Sequence, residues 1–205
     1  MELIIFQIII LVFSVVIHEV AHGLVAERLG DPTARLLGRL TLNPLRHLDP
    51  FGSVLLPILL AMLPGGVVFG WAKPVPYNPL NLKRPERDGA LIGAAGPASN
   101  LGVAILFAAA YRAVSAWGGG SAEVLLALFS YVILINIVLA VFNIIPIPPL
   151  DGSKVLFAFI PVRNLKTRVL LEQYGFALLV LFIFFGFRYV APMIFWLYTI
   201  LVSFP

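Results

Sequence analysis

Apolar residues run through this chain in long blocks, and the few polar positions between them are placed with a pattern. From Leu3 to Ile17 only Gln7 and Ser14 are polar. Continued to Leu29, this block predicts one helix able to cross a bilayer, which takes about 20 apolar residues. Gly30-Asp31-Pro32 predicts where it stops. Further blocks predict helices over 89–117, 123–142, 170–187 and 191–204, with a polar, proline-rich loop over 71–87 and a tight turn at Gly118-Gly119-Gly120-Ser121. The block 51–69 is broken by Pro57, Pro64 and Gly65-Gly66. It predicts a re-entrant segment, because backbone breaks at membrane depth are tolerated only against protein or a watery cavity. In the loop after the first helix, Arg39-Leu40-Thr41-Leu42-Asn43 alternates as a short strand does. Within 89–117, Ala94, Ala98 and Gly102 recur every four residues, a stripe that would let another helix approach closely. The expected fold class is an all-α polytopic membrane protein. It has about five full transmembrane helices, the re-entrant segment 51–69 and a strand-like loop near 39–43, in one membrane-embedded domain over 1–205.

Composition sharpens this picture. The hydrophobic fraction is 60% and the charged fraction 12%, the latter about half the soluble average, and mean hydropathy is +1.01. The net charge of +4 sits in residues that flank apolar blocks. The expected partner of that charge is therefore the lipid bilayer and not nucleic acid. The first block has no Lys or Arg before it and no small-x-small site after it, so it reads as a retained anchor and not a cleaved signal peptide. With the apolar blocks and short loops filling the chain, an appended soluble regulatory domain is not expected. Cysteine is absent, so any zinc would be held by imidazole and carboxylate.

Candidate chemistry lies where ionisable groups enter apolar blocks. An acid or base at bilayer depth costs about 2.5–3.5 kcal/mol on insertion scales, and the first block carries His18-Glu19-Val20-Ala21-His22. On a helix His18 and His22 share a face, where two imidazoles can hold one Zn²⁺. Glu19 lies about 100° round the helix from His18, in reach of a water at the metal without being a ligand. A catalytic zinc takes three protein ligands. Asp151, His47, Asp49 and Glu123 are the candidates for the third. Asp151 is favoured because it follows the break Asn143-Ile144-Ile145-Pro146-Ile147-Pro148-Pro149-Leu150. His47 and Asp49 read more simply as turn residues beside Pro50, and Glu123 as an acid at a helix start. Asn136 and Asn143 are seven apart on one helix face. Either suits an interhelical hydrogen bond, and Asn143, at the break, is the better candidate to hold substrate backbone.

Three patterns together resemble the site-2 protease family of intramembrane zinc metalloproteases: His18–His22, Gly96-Pro97-Ala98-Ser99-Asn100, and Asn143-x-x-Pro146-x-x-x-x-Asp151-Gly152. The resemblance spans nearly all of residues 3–160. It implies Zn²⁺ held by His18, His22 and Asp151, Glu19 as catalytic base and Asn143 as a substrate-positioning residue. It further implies transmembrane protein substrates, among them membrane-tethered regulators cleaved in regulated intramembrane proteolysis. Where the family often has a second Gly after Asp-Gly, this chain has Ser153. The rival reading is a metal-ion transporter, which also places His and acids in membrane helices. The expected site is a plasma membrane enzyme working near the cytoplasmic face. Substrate identity, trigger and oligomeric state have no signature in the sequence.

Overall fold

The computed structural model describes residues 2–55, 73–117, 122–161 and 164–203. Its helices are α1 (Glu2–Arg28), a short α2 (Thr33–Leu36), α3 (Pro85–Trp117), α4 (Glu123–Asn143), α5 (Gly152–Phe159), α6 (Leu165–Leu181) and α7 (Phe187–Ser203). Among the described residues four helical stretches are long and apolar enough to cross a membrane: Ile5–Arg28, Pro85–Ala116, Glu123–Asn143 and Leu165–Ser203.

Each boundary has a local cause. α1 stops where Gly30 takes φ 108° and the Asp31 N–H returns to the Ala26 carbonyl, closing the helix end as a left-handed cap does. α3 begins earlier than the hydropathy pattern predicts, at Pro85. Proline suits a first helical position, and Glu86 and Asp88 face the positive helix end. The Asp88 carboxylate also accepts the Arg84 N–H at 2.9 Å.

The polar contacts fix the directions. Asn100 in α3 and Asn136 in α4 both bond Ser14 in α1, whereas His22 bonds the Ile92 carbonyl and His18 and His22 meet Asp151. α1 and α4 therefore run in the same direction with α3 antiparallel to both. α1 ends and α3 begins at the same end of the bundle, where the buried Asp31 carboxylate accepts Asn78 N–H at 2.6 Å and the Asn81 side chain at 2.7 Å. Burial works against ionisation of Asp31. The donors from Thr33, Asn81 and Asn78 outweigh it and hold the group below its ordinary carboxylate range. The stability it contributes is present at neutral pH and lost only as the pH falls through that lowered value.

Three expectations change. The blocks 170–187 and 191–204 are continuous. They belong to one 39-residue helical stretch, Leu165–Ser203, with a π-helical turn at Phe182–Gly186. Near its start Arg168 bonds Glu86 at the beginning of α3, and near its end the Leu201 carbonyl accepts from Arg112 late in α3. It thus runs alongside α3 as one stretch. The cause is the intervening sequence: Phe187-Arg188-Tyr189-Val190 contains no breaker, and Arg188 lies over the exposed Tyr189 ring. Secondly, 39–43 is a series of bends with no strand. Arg39, which an alternating strand would turn outward, is buried and donates to the Lys73 and Pro74 carbonyls. Thirdly, the buried stripe of α3 is Gly93, Gly96, Asn100, Ala104 and Ala108, while Ala98 and Gly102 are exposed. Ile133, Ile137 and Val141 of α4 and Ile194 of α7 pack on Ala104 and Ala108. Of the segment 51–69, residues 51–55 belong to a π-helical turn (Pro50–Leu55), and 56–69 lie outside the described residues.

Candidate metal centre

His18 and His22 sit one helical turn apart on the buried face of α1, 6% and 5% exposed. Their ring planes stand nearly perpendicular, with centroids 4.7 Å apart. Asp151 reaches the same point from the start of α5. Its Oδ2 lies 2.9 Å from His18 Nε2 and 3.0 Å from His22 Nε2. These three are the one group of potential metal ligands among the described residues.

The outer partners decide which ring nitrogens are free. The Asn100 amide nitrogen donates to the Ser14 carbonyl at 3.1 Å and to Asn136 Oδ1 at 2.8 Å. That orients its Oδ1 toward His18 Nδ1, 2.6 Å away, so Nδ1 carries the hydrogen and Nε2 the lone pair. His22 Nδ1 faces the Ile92 carbonyl at 2.6 Å and must donate to it, with the same result. Two Nε2 lone pairs and a carboxylate oxygen thus converge, an arrangement that repels itself unless a cation shares it. Donor atoms bound at about 2.0 Å around a tetrahedral zinc stand about 3.3 Å apart, close to the spacing here. The remaining Asp151 oxygen, Oδ1, accepts from Lys154 Nζ at 2.8 Å, which leaves Oδ2 to the metal side.

Gly96 makes the room. A Cβ built there would stand 2.5 Å from Nε2 of both His18 and His22, in the space where their lone pairs point. The residues fit a zinc ion on the donor set, the tautomers and this cradle. Glu19 is half-buried and outside the ligand group, with Oε2 accepting the Val75 N–H at 2.7 Å.

The other candidates fall away from the centre. His47 is 2% exposed and its Nε2 bonds the Thr41 carbonyl. Asp49 accepts the Phe51 and Gly52 N–H groups, the turn role expected for it. Glu123 is in the first turn of α4. Asn136 is fully buried in the network with Ser14 and Asn100. Asn143 ends α4, half-buried, its amide donating to the Leu139 carbonyl at 3.0 Å.

Sequence reasoning did not assign roles to Asn100, Gly96 or Lys154. The first two lay inside a quoted motif, and Lys154 carried no signal beyond its i,i+3 spacing from Asp151. Interhelical hydrogen bonds in membranes average about 0.6 kcal/mol, so the Ser14–Asn100–Asn136 network adds little stability. Its effect is to aim His18. Asn100→Leu is expected to fold and to bind zinc about 10–100-fold more weakly, read by competition against a chromogenic chelator.

A buried His₂-carboxylate site in a helical membrane bundle defines a class, the membrane metalloenzymes. The model of peptidase family M50 matches residues 6–122 and 113–182, and the chain belongs to that family, as a membrane metalloprotease with zinc as its cofactor. It is 41% identical over 189 residues to "Putative zinc metalloprotease YwhC" of Bacillus subtilis, covering 87% of this chain and 80% of that one. It is 30% identical over 175 residues to "Putative zinc metalloprotease Rip2" of Mycolicibacterium smegmatis, covering 82% of this chain and 62% of the relative. To the Rip2 of Mycobacterium tuberculosis strain H37Rv it is 33% identical over 172 residues, covering 84% and 63%. No solved structure matches the chain.

Proposed function

We propose that this protein is an intramembrane zinc endopeptidase that hydrolyses peptide bonds in or near transmembrane segments of other membrane proteins, membrane-tethered regulators among them. The observation that carries the reading is the convergence of His18 Nε2, His22 Nε2 and Asp151 Oδ2, with two of the three residues inside the membrane-crossing stretch Ile5–Arg28. Bound there, zinc supplies Lewis acidity, making water a nucleophile near neutral pH and polarising the scissile carbonyl. Glu19 takes the proton from the attacking water and delivers it to the leaving amine. Asn143 holds substrate backbone at the end of α4, beside the break that leads to Asp151. A substrate helix has to unwind first, since its own carbonyls are already hydrogen-bonded. A transporter would need sites strung along a path, and the described residues hold one cluster. Zinc analysis together with cleavage of a reporter transmembrane segment by the purified protein tests the reading.

We also propose a plasma membrane location with the active site toward the cytoplasm. Of the 13 described Lys and Arg, all but Arg112 and Arg188 lie in chain segments at the end shared by Arg28, Pro85, Asp151 and Leu165, and positive charge marks the cytoplasmic side. Cysteine labels at positions 35, 83 and 166 are expected to be cytoplasmic. With four crossings, a label at 203 is expected on the outside. A cytoplasmic 203 would restore a fifth crossing.

A further inference from the structure

Among the described residues, the group that touches Glu19 is a backbone amide in a segment built to hold one shape. Lys73-Pro74-Val75-Pro76-Tyr77-Asn78-Pro79 has proline at alternate positions and again at its end. Proline fixes its own φ, and each residue before a proline is pushed toward extended backbone. Lys73, Val75 and Asn78 all precede proline, so the strap has few conformations to lose.

It is tied along its length. The Lys73 N–H bonds the His47 carbonyl at 2.9 Å, and the buried Arg39 guanidinium takes the Lys73 and Pro74 carbonyls at 2.6 and 3.3 Å. The Asn78 N–H is held by Asp31. Between these ties the Val75 N–H meets Glu19 Oε2 at 2.7 Å. The Val75 side chain, 8% exposed, lies over Gly23, one turn of α1 beyond Glu19. A Cβ on Gly23 would come within 3.0 Å of Val75 Cγ1 and 2.5 Å of Leu40 Cδ2, so the strap can lie this close to α1 only over a glycine. Two residues on, the Tyr77 ring lies 5.7 Å from Lys154 Nζ, the ammonium that holds Asp151.

We propose that Val75 is a positioning residue whose backbone N–H aims the Glu19 carboxylate, engaging Oε2 and leaving Oε1 to exchange the proton. The proposal rests on the peptidase reading above. A glutamate has three rotatable bonds, and a reacting group displaced by about 1 Å can cost about 10²-fold in rate. A strap with its own shape pre-set removes that freedom without using a second side chain.

The test exploits the prolines. Pro74 and Pro76 have no N–H, so Val75 is the one exchangeable backbone amide in 74–76. Hydrogen exchange of a peptide over these residues then reads a single bond. Slow exchange in the zinc-loaded wild type, accelerated at least tenfold in Glu19→Ala with the neighbouring α1 amides unchanged, is expected. Equal exchange in both proteins overturns the proposal. In turnover, Val75→Pro removes the donor and keeps extended backbone, and is expected to lower kcat at least tenfold more than Val75→Ala, which keeps the N–H. KM and zinc affinity are expected to hold in Val75→Pro. Losses of equal size in the two variants, or a loss that follows zinc affinity, also overturn it. The exchange measurement needs no turnover, so failure of the strap and failure of the peptidase reading are told apart.

Discussion

Glu19→Gln is expected to bind zinc as the wild type does and to cleave a reporter transmembrane segment at least 10²-fold more slowly. The substitution removes the proton acceptor and little else. Gln keeps an oxygen that can accept the Val75 N–H, which Glu19 receives at 2.7 Å, and residue 19 is outside the ligand group. General base catalysis contributes about 10²–10⁴-fold, which sets the expected range of the loss. Zinc content by atomic absorption and turnover on the same preparation check it together. Turnover near the wild-type value would remove Glu19 from the chemistry. Loss of zinc along with activity would make residue 19 a ligand, contrary to its place outside the cluster.

Asp151→Ala is expected to lose metal and activity together. Asp151 supplies the one oxygen that faces both imidazoles, and two neutral histidines leave a divalent ion without an anionic ligand. The drop in zinc affinity is expected to exceed the 10–100-fold typical of losing an outer partner. Chelation of the wild type is expected to reproduce the loss of activity. The substitution also leaves the Lys154 ammonium without its carboxylate partner at 2.8 Å, so a lower melting temperature than for chelated wild type is expected. Full zinc occupancy in Asp151→Ala would place the third ligand elsewhere.

The chemistry of this site was more legible in the sequence than its support. His18, His22 and Asp151 stood out because ionisable groups in apolar blocks are expensive, and expense is visible in composition. Val75 gave no such sign, since it acts through a backbone amide that every residue but proline carries. Asn100 and Asn136 carried a weak signal: polar residues in apolar helices find partners, but a helix does not say which. The packing stripe of α3 was misplaced because Gly and Ala occupy 89, 90, 93, 94, 95, 96 and 98. Neighbouring registers are then equally small, and the choice between them is made by the residues opposite, here Lys154 and the two histidines at Gly93 and Gly96. The continuity of Leu165–Ser203 was hidden for a related reason. Arg188 resembles a loop residue in a hydropathy trace, yet one charge beside a tyrosine does not stop a helix that continues even through Pro192.

His22 and Asp151 are 129 residues apart along the chain. At a synthesis rate of about 5–20 residues per second, roughly 6 to 26 seconds pass between the emergence of the two histidines and that of the carboxylate. Throughout that interval the chain carries His18, Glu19 and His22 but not Asp151. Gly96 and Asn100 arrive partway through, and Asp151 follows at the start of α5, the last helix before α6. In the proposed enzyme the ligand set is therefore complete only once Asp151 has been made, long after its base and its first two ligands.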